Sequence, residues 1–259
     1  MMIDEEVRRA AGRYAQETGA LADLHEGDYI LRFLLENPCF PSKDPAVRYY
    51  FEDGLKSARQ LSRLMADDLQ LAPESATVLE FACGYGCVTR HLVGSARVPN
   101  VVCSDVHEQA NEFLRRVFGV ETIQSTAVPE DYPATPGFDL VFCLSFFSHM
   151  PPRTWSRWLR VLFDRVRPGG FLAFTTHGRA SRVHFGNPPI PETGIWFRAE
   201  SEQKDLDTAE YGQTIVDFHY VLGQIESELG SAGGSLHLLR PGYWWEHQDL
   251  YVVRASPDS

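Results

Sequence analysis

Hydrophobic and polar positions follow two different periods along this chain of 259 residues. Up to about Leu71 the apolar side chains recur every three or four positions, which predicts helices. The clearest stripe is formed by Leu55, Ala58, Leu61, Leu64, Met65 and Leu69. A proline-rich stretch at 37–45 interrupts the pattern, because proline ends or breaks a helix. We therefore expect residues 1–72 to form an N-terminal helical extension or cap.

From residue 73 to the end, short β-type runs alternate with helical stripes. The predicted strands are Thr77–Phe81, Asn100–Ser104, Val120–Gln124, Phe138–Leu144, Gly170–Thr175, Ser235–Leu239 and Gln248–Val253. The predicted helices are Val88–Gly94, His107–Phe118, Thr154–Val166 and Ile215–Leu229. Such alternation predicts an α/β fold, in which helices cover both faces of a seven-stranded, mostly parallel sheet.

Two connections refine this core of residues 73–259. The link at 240–247 is too short for a parallel crossover, so the last strand is expected to run antiparallel. The segment at about 177–212 is long and rich in Gly and Pro, and segments of this kind often bind substrate or act as lids. We expect it to be a substrate or lid insertion in the core.

Charge and composition exclude several functional classes. The formal net charge of −11 disfavours a nucleic-acid partner, because binding to phosphate needs clustered Lys and Arg. No run is long enough for a membrane helix, and the acidic start is unlike a signal peptide, so a cytoplasmic protein without membrane contact is expected. The cysteines mostly lie in apolar runs and are expected to be reduced and buried. Cys83 and Cys87 have no further ligands at suitable spacing, so no metal is predicted.

The most informative motif follows the first predicted strand, where Glu80, Ala82, Gly84 and Gly86 form the pattern E-x-A-x-G-x-G. Glycine has no Cβ and tolerates positive φ, so the backbone and the following helix N-terminus can approach a ligand closely. The spacing differs from the G-x-G-x-x-G fingerprint of dinucleotide-binding proteins. Alanine at position 82 is strained only if the turn requires positive φ there.

Asp105 closes the second predicted strand, about twenty positions after the glycine turn. A carboxylate at this place can accept hydrogen bonds from both hydroxyls of a ribose. The alternative is a helix N-cap, because a helix is predicted to follow. Enzymes that use nicotinamide cofactors share this acidic position, so Asp105 does not distinguish between the two kinds of nucleotide cofactor.

The order of motifs along the whole core is more specific. F-D-L-V-F-C at 138–143, S-H-M-P at 148–151 and R-P-G-G-F-L at 167–172 follow the glycine turn and Asp105. In this order they resemble the class I (Rossmann-like) S-adenosylmethionine (SAM) dependent methyltransferases of the small-molecule type, over roughly Thr77 to Val253. The resemblance implies SAM as cofactor and S-adenosylhomocysteine as product. It places cofactor contacts at Glu80, Ala82, Cys83, Gly84, Gly86, Asp105, Val106, Ser125, Thr126, Cys143, Leu144 and Ser145.

Methyl transfer requires alignment of donor and acceptor, exclusion of water and, for some acceptors, removal of a proton. His149 and His177 follow the fourth and fifth predicted strands and are the candidate bases, since imidazole titrates near neutrality. A loop histidine bonded to backbone is the alternative for His149. Candidate substrate contacts are Tyr49, Tyr50, Phe146, Phe147, His149, Trp196 and Tyr211. For Tyr49 and Tyr50 a role in the hydrophobic core is an equally good interpretation.

The leading hypothesis is a SAM-dependent methyltransferase that modifies an O or N atom, or a C atom, of a small molecule such as a secondary metabolite or sugar. Two alternatives stay open, a NAD(P)-dependent oxidoreductase and a SAM-binding protein that transfers no methyl group. The tetrad at 144–147 is Leu-Ser-Phe-Phe, whereas methyltransferases of nucleic-acid amino groups resemble N/D-P-P-Y/F there. The sequence leaves the oligomeric state open between monomer and homodimer.

Overall fold

The computed structural model describes residues 3–96, 98–135, 137–201 and 203–257. Within these residues the α-helices are α1 (Glu5–Thr18), α2 (Tyr29–Glu36), α3 (Lys43–Arg63), α4 (Thr89–Leu92), α5 (Glu108–Phe113), α6 (Pro152–Phe163) and α7 (Phe218–Gln224). The strands are β1 (Val78–Phe81), β2 (Val101–Asp105), β3 (Glu121–Gln124), β4 (Phe138–Cys143), β5 (Val166–His177), β6 (Ile195–Arg198), β7 (Gln213–Val216), β8 (Gly234–Trp244) and β9 (Gln248–Ala255). Helices α3, α5 and α7 continue into π-helical turns at Leu64–Asp68, Leu114–Phe118 and Ile225–Leu229.

Seven of these strands form one sheet in the order β3-β2-β1-β4-β5-β9-β8. Strand β2 runs parallel to β1 and β3, and β4 runs parallel to β5. Strand β9 runs antiparallel to both of its neighbours, β5 and β8. The predicted fold, a mostly parallel sheet with an antiparallel last strand and surrounding helices, is confirmed.

The inner strands are apolar because both of their faces are covered. All six residues of β4 and all four of β1 are buried, which is typical of strands in a parallel sheet between layers of helices. Glu80 on β1 and Asp139 on β4 are the charged exceptions. Asp139 forms an ion pair with Arg167, which supplies the charged partner that a buried carboxylate needs.

The chain divides into two compact units, one up to Ser125 and one from Thr126. In the first unit, α1 to α3 enclose an apolar core with Val7, Leu31 and Phe51. Helix α1 begins at Asp4, whose side chain accepts from Val7 N–H, and ends at Gly19 in the left-handed conformation. The N-terminal helices are therefore present as predicted, while the proposed domain boundary near residue 72 stays a prediction.

In the second unit, α6 packs against β5, and β6 pairs with β7 in a separate antiparallel hairpin. This hairpin corrects one prediction, since Ile215 and Val216 lie in β7 and not in a helix. Both are β-branched and buried, which suits a strand, and the helix begins only after Asp217. Strand β8 is also longer than predicted and reaches Trp244.

A search of the described residues for membrane-spanning helices found none that is both long enough and apolar enough.

Candidate functional site

The turn after β1 contains three residues with positive φ. Ala82, Gly84 and Gly86 have φ of 57°, 55° and 78°. The turn does require positive φ at position 82, so Ala82 is strained, because the left-handed region disfavours any residue with a Cβ. A Cβ on Gly86 would lie 2.6 Å from Leu114 Cδ2, whereas a Cβ on Gly84 would meet nothing within 4 Å. Gly86 is thus fixed by packing, and Gly84 borders open space.

Asp105 holds this turn against the end of β2. Its Oδ2 accepts from Gly84 N–H at 2.8 Å, and its Oδ1 accepts from His107 N–H at 2.9 Å. The His107 ring lies 2.8 Å from the same Oδ1. Both carboxylate oxygens are therefore engaged within the protein. The N-cap of α5 is His107, so Asp105 is not the helix N-cap considered as the alternative, and its bond from His107 N–H is that of an Asx turn. Oδ1 has two partners in His107, whereas Oδ2 has only Gly84 N–H and keeps a second lone-pair direction for a ligand hydroxyl.

The positions around Asp105 differ in exposure. Val106 is 39% exposed, whereas the neighbouring Asp105 is buried. Ser125 is buried, and its N–H donates to the carbonyl of Asp105 at 2.9 Å. Thr126 Oγ1 donates to the carbonyl of Val128 at 2.7 Å.

Sequence reasoning missed Asn111, whose amide accepts from Asp105 N–H and donates to its carbonyl, so both backbone groups of Asp105 are fixed.

Glu80 lies in β1, just before the turn, and is almost completely buried. Thr89 Oγ1 donates to its Oε2 at 2.7 Å. Burial raises the pKa of the Glu80 carboxyl to about 7, although the bond from Thr89 opposes the shift. Cys83 is buried as well, and burial raises the pKa of its thiol well above the usual value. The Glu80 carboxyl is therefore bonded to the first residue of α4, and the Cys83 thiol is not reactive at neutral pH.

Arg90 on α4 is an important residue that the sequence reasoning missed. It is fully buried, and its guanidinium donates to the carbonyls of Gly86, Leu21 and Asp23 at 3.1, 2.8 and 3.0 Å. It also donates to the Tyr50 hydroxyl at 3.1 Å. Arg90 thus joins the glycine turn to the loop between α1 and α2.

Ring contacts tie the same loop to the turn. The His25 ring stacks on the Tyr85 ring with centroids 4.6 Å apart and an interplanar angle of 13°. The backbone at Gly27 comes so close to the Tyr85 hydroxyl that a Cβ would collide with it. Residues 20–28 therefore pack directly on the central tyrosine of the glycine turn.

Tyr50 is a core residue. It is fully buried, and its hydroxyl donates to Asp28 Oδ2 at 2.6 Å. This contact corrects the prediction that Tyr50 touches substrate and favours the alternative of a core anchor. Tyr49 is 45% exposed and its ring lies 5.6 Å from the Phe40 ring.

In the second unit, the residues after β4 form a tightly held loop. Cys143 is fully buried, while Leu144 and Ser145 are partly accessible. Ser145 has φ of 61°, and its N–H donates to Thr175 Oγ1 at 2.8 Å. A serine in the left-handed region is strained, and such strain is often found at functional sites. The loop conformation is thus imposed by its hydrogen bonds.

Phe146 and Phe147 are less accessible than predicted. Phe147 is fully buried, with its ring centroid 4.8 Å from those of Trp155 and Phe174. Phe146 is 8% exposed and packs edge-on against Trp158. The prediction that Phe147 contacts substrate is therefore wrong, because its ring completes the core between α6 and β5.

His149 is half-buried and well ordered by its neighbours. Its Nδ1 lies 2.8 Å from the carbonyl of Gly212, and its ring stacks on Tyr211 with centroids 4.3 Å apart. Because a carbonyl only accepts, Nδ1 is assigned the proton, and in the neutral ring Nε2 carries the lone pair. The contact with backbone that was considered as the alternative for His149 is present, and it leaves Nε2 in the form that can accept a proton.

His177 lies near His149, with ring centroids 6.4 Å apart, but in a different environment. It is 8% exposed, and burial lowers its pKa to about 3, with His149 and His247 acting in the same direction. A base that binds protons so weakly is a poor general base at neutral pH. Trp196, by contrast, is half-buried in the hairpin, with its ring 6.4 Å from that of Phe185.

The described part of the chain contains no group of three or more His, Cys, Asp or Glu side chains arranged to hold a metal ion.

Comparison with known proteins supports the fold and the core motifs. Residues 79–172 match a family model described as a methyltransferase domain. Cyclopropane-fatty-acyl-phospholipid synthase of Escherichia coli is 26% identical over 142 residues, which cover 52% of this chain. The match spans only 36% of the synthase, so the chain corresponds to about a third of that relative.

Solved structures resemble the chain over most of its length. Magnesium protoporphyrin IX methyltransferase from Synechocystis PCC 6803 gives a TM-score of 0.52 at 12% identity, covering 95% of this chain and 97% of its own. An amino pentose methyltransferase from Micromonospora echinaspora gives 0.51 at 15% identity, covering 85% and 99%. At these identities the likeness shows the fold alone. Together with the strand order, it shows that the chain has the Rossmann-like fold of these methyltransferases, and residues 79–172 match a methyltransferase domain.

Proposed function

We propose that this protein transfers a methyl group from SAM to an oxygen or nitrogen atom of a small molecule, with His149 as the base. The observation that carries the cofactor part is the turn at Ala82–Gly86. It is pinned to Asp105 through Gly84 N–H, and the space beside Gly84 is open. A backbone cradle next to a buried carboxylate suits a nucleoside with an attached polar chain.

The residues present fit that cofactor. Asp105 would accept from a ribose hydroxyl through the remaining lone pair of Oδ2, and the exposed Val106 side chain would cover a face of the adenine. The open side of Gly84 would leave room for the methionyl part. When bound, SAM supplies a methyl group on a positively charged sulfur, which departs as a neutral thioether.

The protein's own contribution is alignment and proton removal. The bond from His149 Nδ1 to the Gly212 carbonyl and the stack on Tyr211 hold the imidazole in one orientation. Nε2 would accept the proton of an acceptor hydroxyl or ammonium group as the methyl group is transferred. The positive charge that develops on His149 would be stabilised by the Gly212 carbonyl.

Two observations support a small acceptor. The net charge of −11 disfavours a polyanionic substrate. Solved relatives of the same fold include enzymes described as acting on magnesium protoporphyrin IX and on an amino pentose. The curated relative is described as a cyclopropane-fatty-acyl-phospholipid synthase, so lipid acceptors belong in any substrate screen.

Calorimetric titration of the purified protein with SAM, S-adenosylhomocysteine and NADH tests the cofactor. We expect saturable binding of the first two and none of NADH, and the opposite result would favour the oxidoreductase alternative. Release of S-adenosylhomocysteine is then measured with phenols, amino sugars and phospholipid vesicles as acceptors. The His149→Gln variant should keep SAM affinity within about threefold and lose about 100-fold in kcat, the order typical of general-base catalysis. SAM binding without turnover on every acceptor would favour a binding protein that transfers no methyl group.

A further inference from the structure

Gln248, the first residue of β9, joins three segments of the second unit although it is only 2% exposed. Its Oε1 accepts from the Thr175 hydroxyl at 2.6 Å. Its Nε2 donates to Ser145 Oγ at 2.8 Å and to His177 Nε2 at 3.2 Å. A buried glutamine with bonds on both ends of its amide is fixed in a single orientation.

The orientation of this amide follows from its neighbours. Ser148 Oγ donates to the Ser145 carbonyl, so the Ser145 hydroxyl proton is directed to Ser148 Oγ, and Ser145 Oγ is left to accept from Gln248. At the other end of the amide, Gln248 Oε1 accepts from the Thr175 hydroxyl. The NH₂ group must then face Ser145 and His177. The assignment does not depend on any bound ligand.

This orientation determines the tautomer of His177. Its Nε2 accepts a hydrogen bond from the Gln248 amide, so Nε2 carries no proton and the single proton of the neutral ring lies on Nδ1. Burial also keeps the ring neutral, since it lowers the pKa of His177 to about 3. Nδ1 makes no bond of hydrogen-bond geometry, and the backbone of Thr214 offers it only a weak favourable contact.

Gln248 also acts on the loop that carries His149. Ser145 is held by Gln248 through its Oγ and by Thr175 through its N–H. The Ser145 and Ser148 hydroxyls lie 2.8 Å apart, and Ser148 Oγ donates back to the Ser145 carbonyl. His149 follows directly, so a shift of Ser145 would be passed on to the imidazole.

We infer that Gln248 is a positioning residue of the proposed methyl transfer, which holds the Ser145–His149 loop and keeps His177 as a neutral imidazole protonated on Nδ1. The inference rests on the proposed function only for its link to catalysis. The His177 and His149 ring centroids are 6.4 Å apart, so a protonated His177 would place a second positive charge close to His149 and would oppose proton uptake there. The hydrogen bond from Gln248 prevents this, because protonation of His177 at Nε2 would leave two donors facing each other.

The first test measures the tautomer directly. Protein with ¹⁵N-labelled histidine is compared with the Gln248→Glu variant, which keeps the size of the side chain but offers His177 a carboxylate acceptor. The wild-type His177 should show a single Nδ1–H tautomer and no titration between about pH 5 and 9. In the variant the proton should move to Nε2, and the ring should titrate at higher pH. The Gln224→Glu variant on α7, which introduces the same charge elsewhere in this unit, should match the wild type.

The second test measures function with the acceptor found in the screen. We expect Gln248→Glu and Gln248→Met to lose about 10- to 100-fold in kcat, measured at saturating SAM, a loss typical of displaced catalytic groups. If His177 has the same tautomer and titration in wild type and Gln248→Glu, the assignment to Gln248 is wrong. An unchanged kcat in both variants would remove the positioning role. If the wild type transfers no methyl group, the proposed function fails, while the tautomer measurement still decides how Gln248 acts on His177.

Discussion

The N–H of Gly84 donates to Oδ2 of Asp105 at 2.8 Å, which connects the turn after β1 to the end of β2. The bond satisfies a backbone donor in a turn that has no regular secondary structure of its own. It also fixes the carboxylate before any ligand arrives, so little side-chain ordering is left for the binding step. The two sequence features that were most informative, the glycine turn and the acidic residue, thus form one structural unit.

Replacement of Asp105 by Ala tests this unit. The variant removes the acceptor for Gly84 N–H and for His107 N–H, together with the lone pair proposed to bind ribose. We expect SAM affinity to fall by about 1–3 kcal/mol, the usual cost of losing buried hydrogen bonds. Calorimetry with SAM measures the change, and Asp131→Ala, at an exposed carboxylate, is the control. Unchanged affinity in Asp105→Ala would remove Asp105 from the cofactor site.

Ala82 gives an opportunity to stabilise the fold. In the left-handed region an alanine costs about 1–2 kcal/mol relative to its favoured conformations. Glycine relieves that strain but loses about 0.5–1 kcal/mol through the greater freedom of the unfolded chain. Ala82→Gly should therefore increase the free energy of unfolding by up to about 1 kcal/mol, measured by urea denaturation.

Two matched variants separate conformation from packing in the same turn. Gly84→Ala introduces a Cβ at positive φ without any contact, so it should destabilise by up to about 1 kcal/mol after the smaller freedom of the unfolded chain is subtracted. Gly86→Ala adds a collision with Leu114 and Phe118 to the same strain and should cost more. A destabilised Ala82→Gly, or equal effects at both glycines, would contradict this account.

The fold was predictable because its signals are local and repeated. Alternation of strands and helices, with a short last link, predicted the order and direction of the sheet. The prediction failed at Ile215, where a helical stripe of apolar residues overlapped a β-branched pair that pairs with β6. Whether these residues form a strand or a helix is determined by pairing with β6, which lies outside the segment whose periodicity was read.

The site was predictable only in part. Backbone motifs such as the glycine turn show in the sequence, because few residue types tolerate positive φ. The roles of Arg90 and Gln248 depend on contacts with residues 69 and 103 positions away, so no local pattern marks them. Phe147 was misjudged for the same reason, since an aromatic pair after a strand can face either a site or the core.

Arg90 should be essential for the N-terminal part of the fold. Its removal leaves the carbonyls of Leu21 and Asp23 and the Tyr50 hydroxyl without their buried donor. We expect Arg90→Met to cost about 3–5 kcal/mol in the free energy of unfolding, the range for breaking buried charged networks. Arg63→Met, on the exposed face of α3, should change stability by less than about 0.5 kcal/mol.

If Arg90→Met fails to fold, Tyr50→Phe examines the same network more gently. It removes only the hydroxyl that lies between Arg90 and Asp28, and should cost about 1–3 kcal/mol. Hydrogen exchange of residues 20–28 should rise in the variant, because their attachment to the glycine turn is weakened. Exchange rates equal to the wild type would show that the loop is held by other contacts.

Glu80 should make stability depend on pH. Burial raises its pKa from 4.5 to about 7, so the folded protein holds this proton more tightly than the unfolded chain. Stability should therefore fall as pH rises from about 4.5 to 7, by about 3 kcal/mol at most for a shift of this size. His91 and His177, whose pKa values burial lowers to about 3, act in the opposite direction, with stability rising between about pH 3 and 6.5.

The Glu80→Gln variant isolates the contribution of the carboxyl. Glutamine keeps the size of the side chain and can accept from Thr89 Oγ1, but it never ionises. Relative to wild type, Glu80→Gln should gain stability as pH rises from 5 to 8, measured by urea denaturation without ligand at both pH values. Glu121→Gln at an exposed position of β3 should show no such change. A difference between Glu80→Gln and wild type that is the same at both pH values would mean that the carboxyl is already ionised at pH 5. In that case Thr89 would outweigh burial in setting its charge.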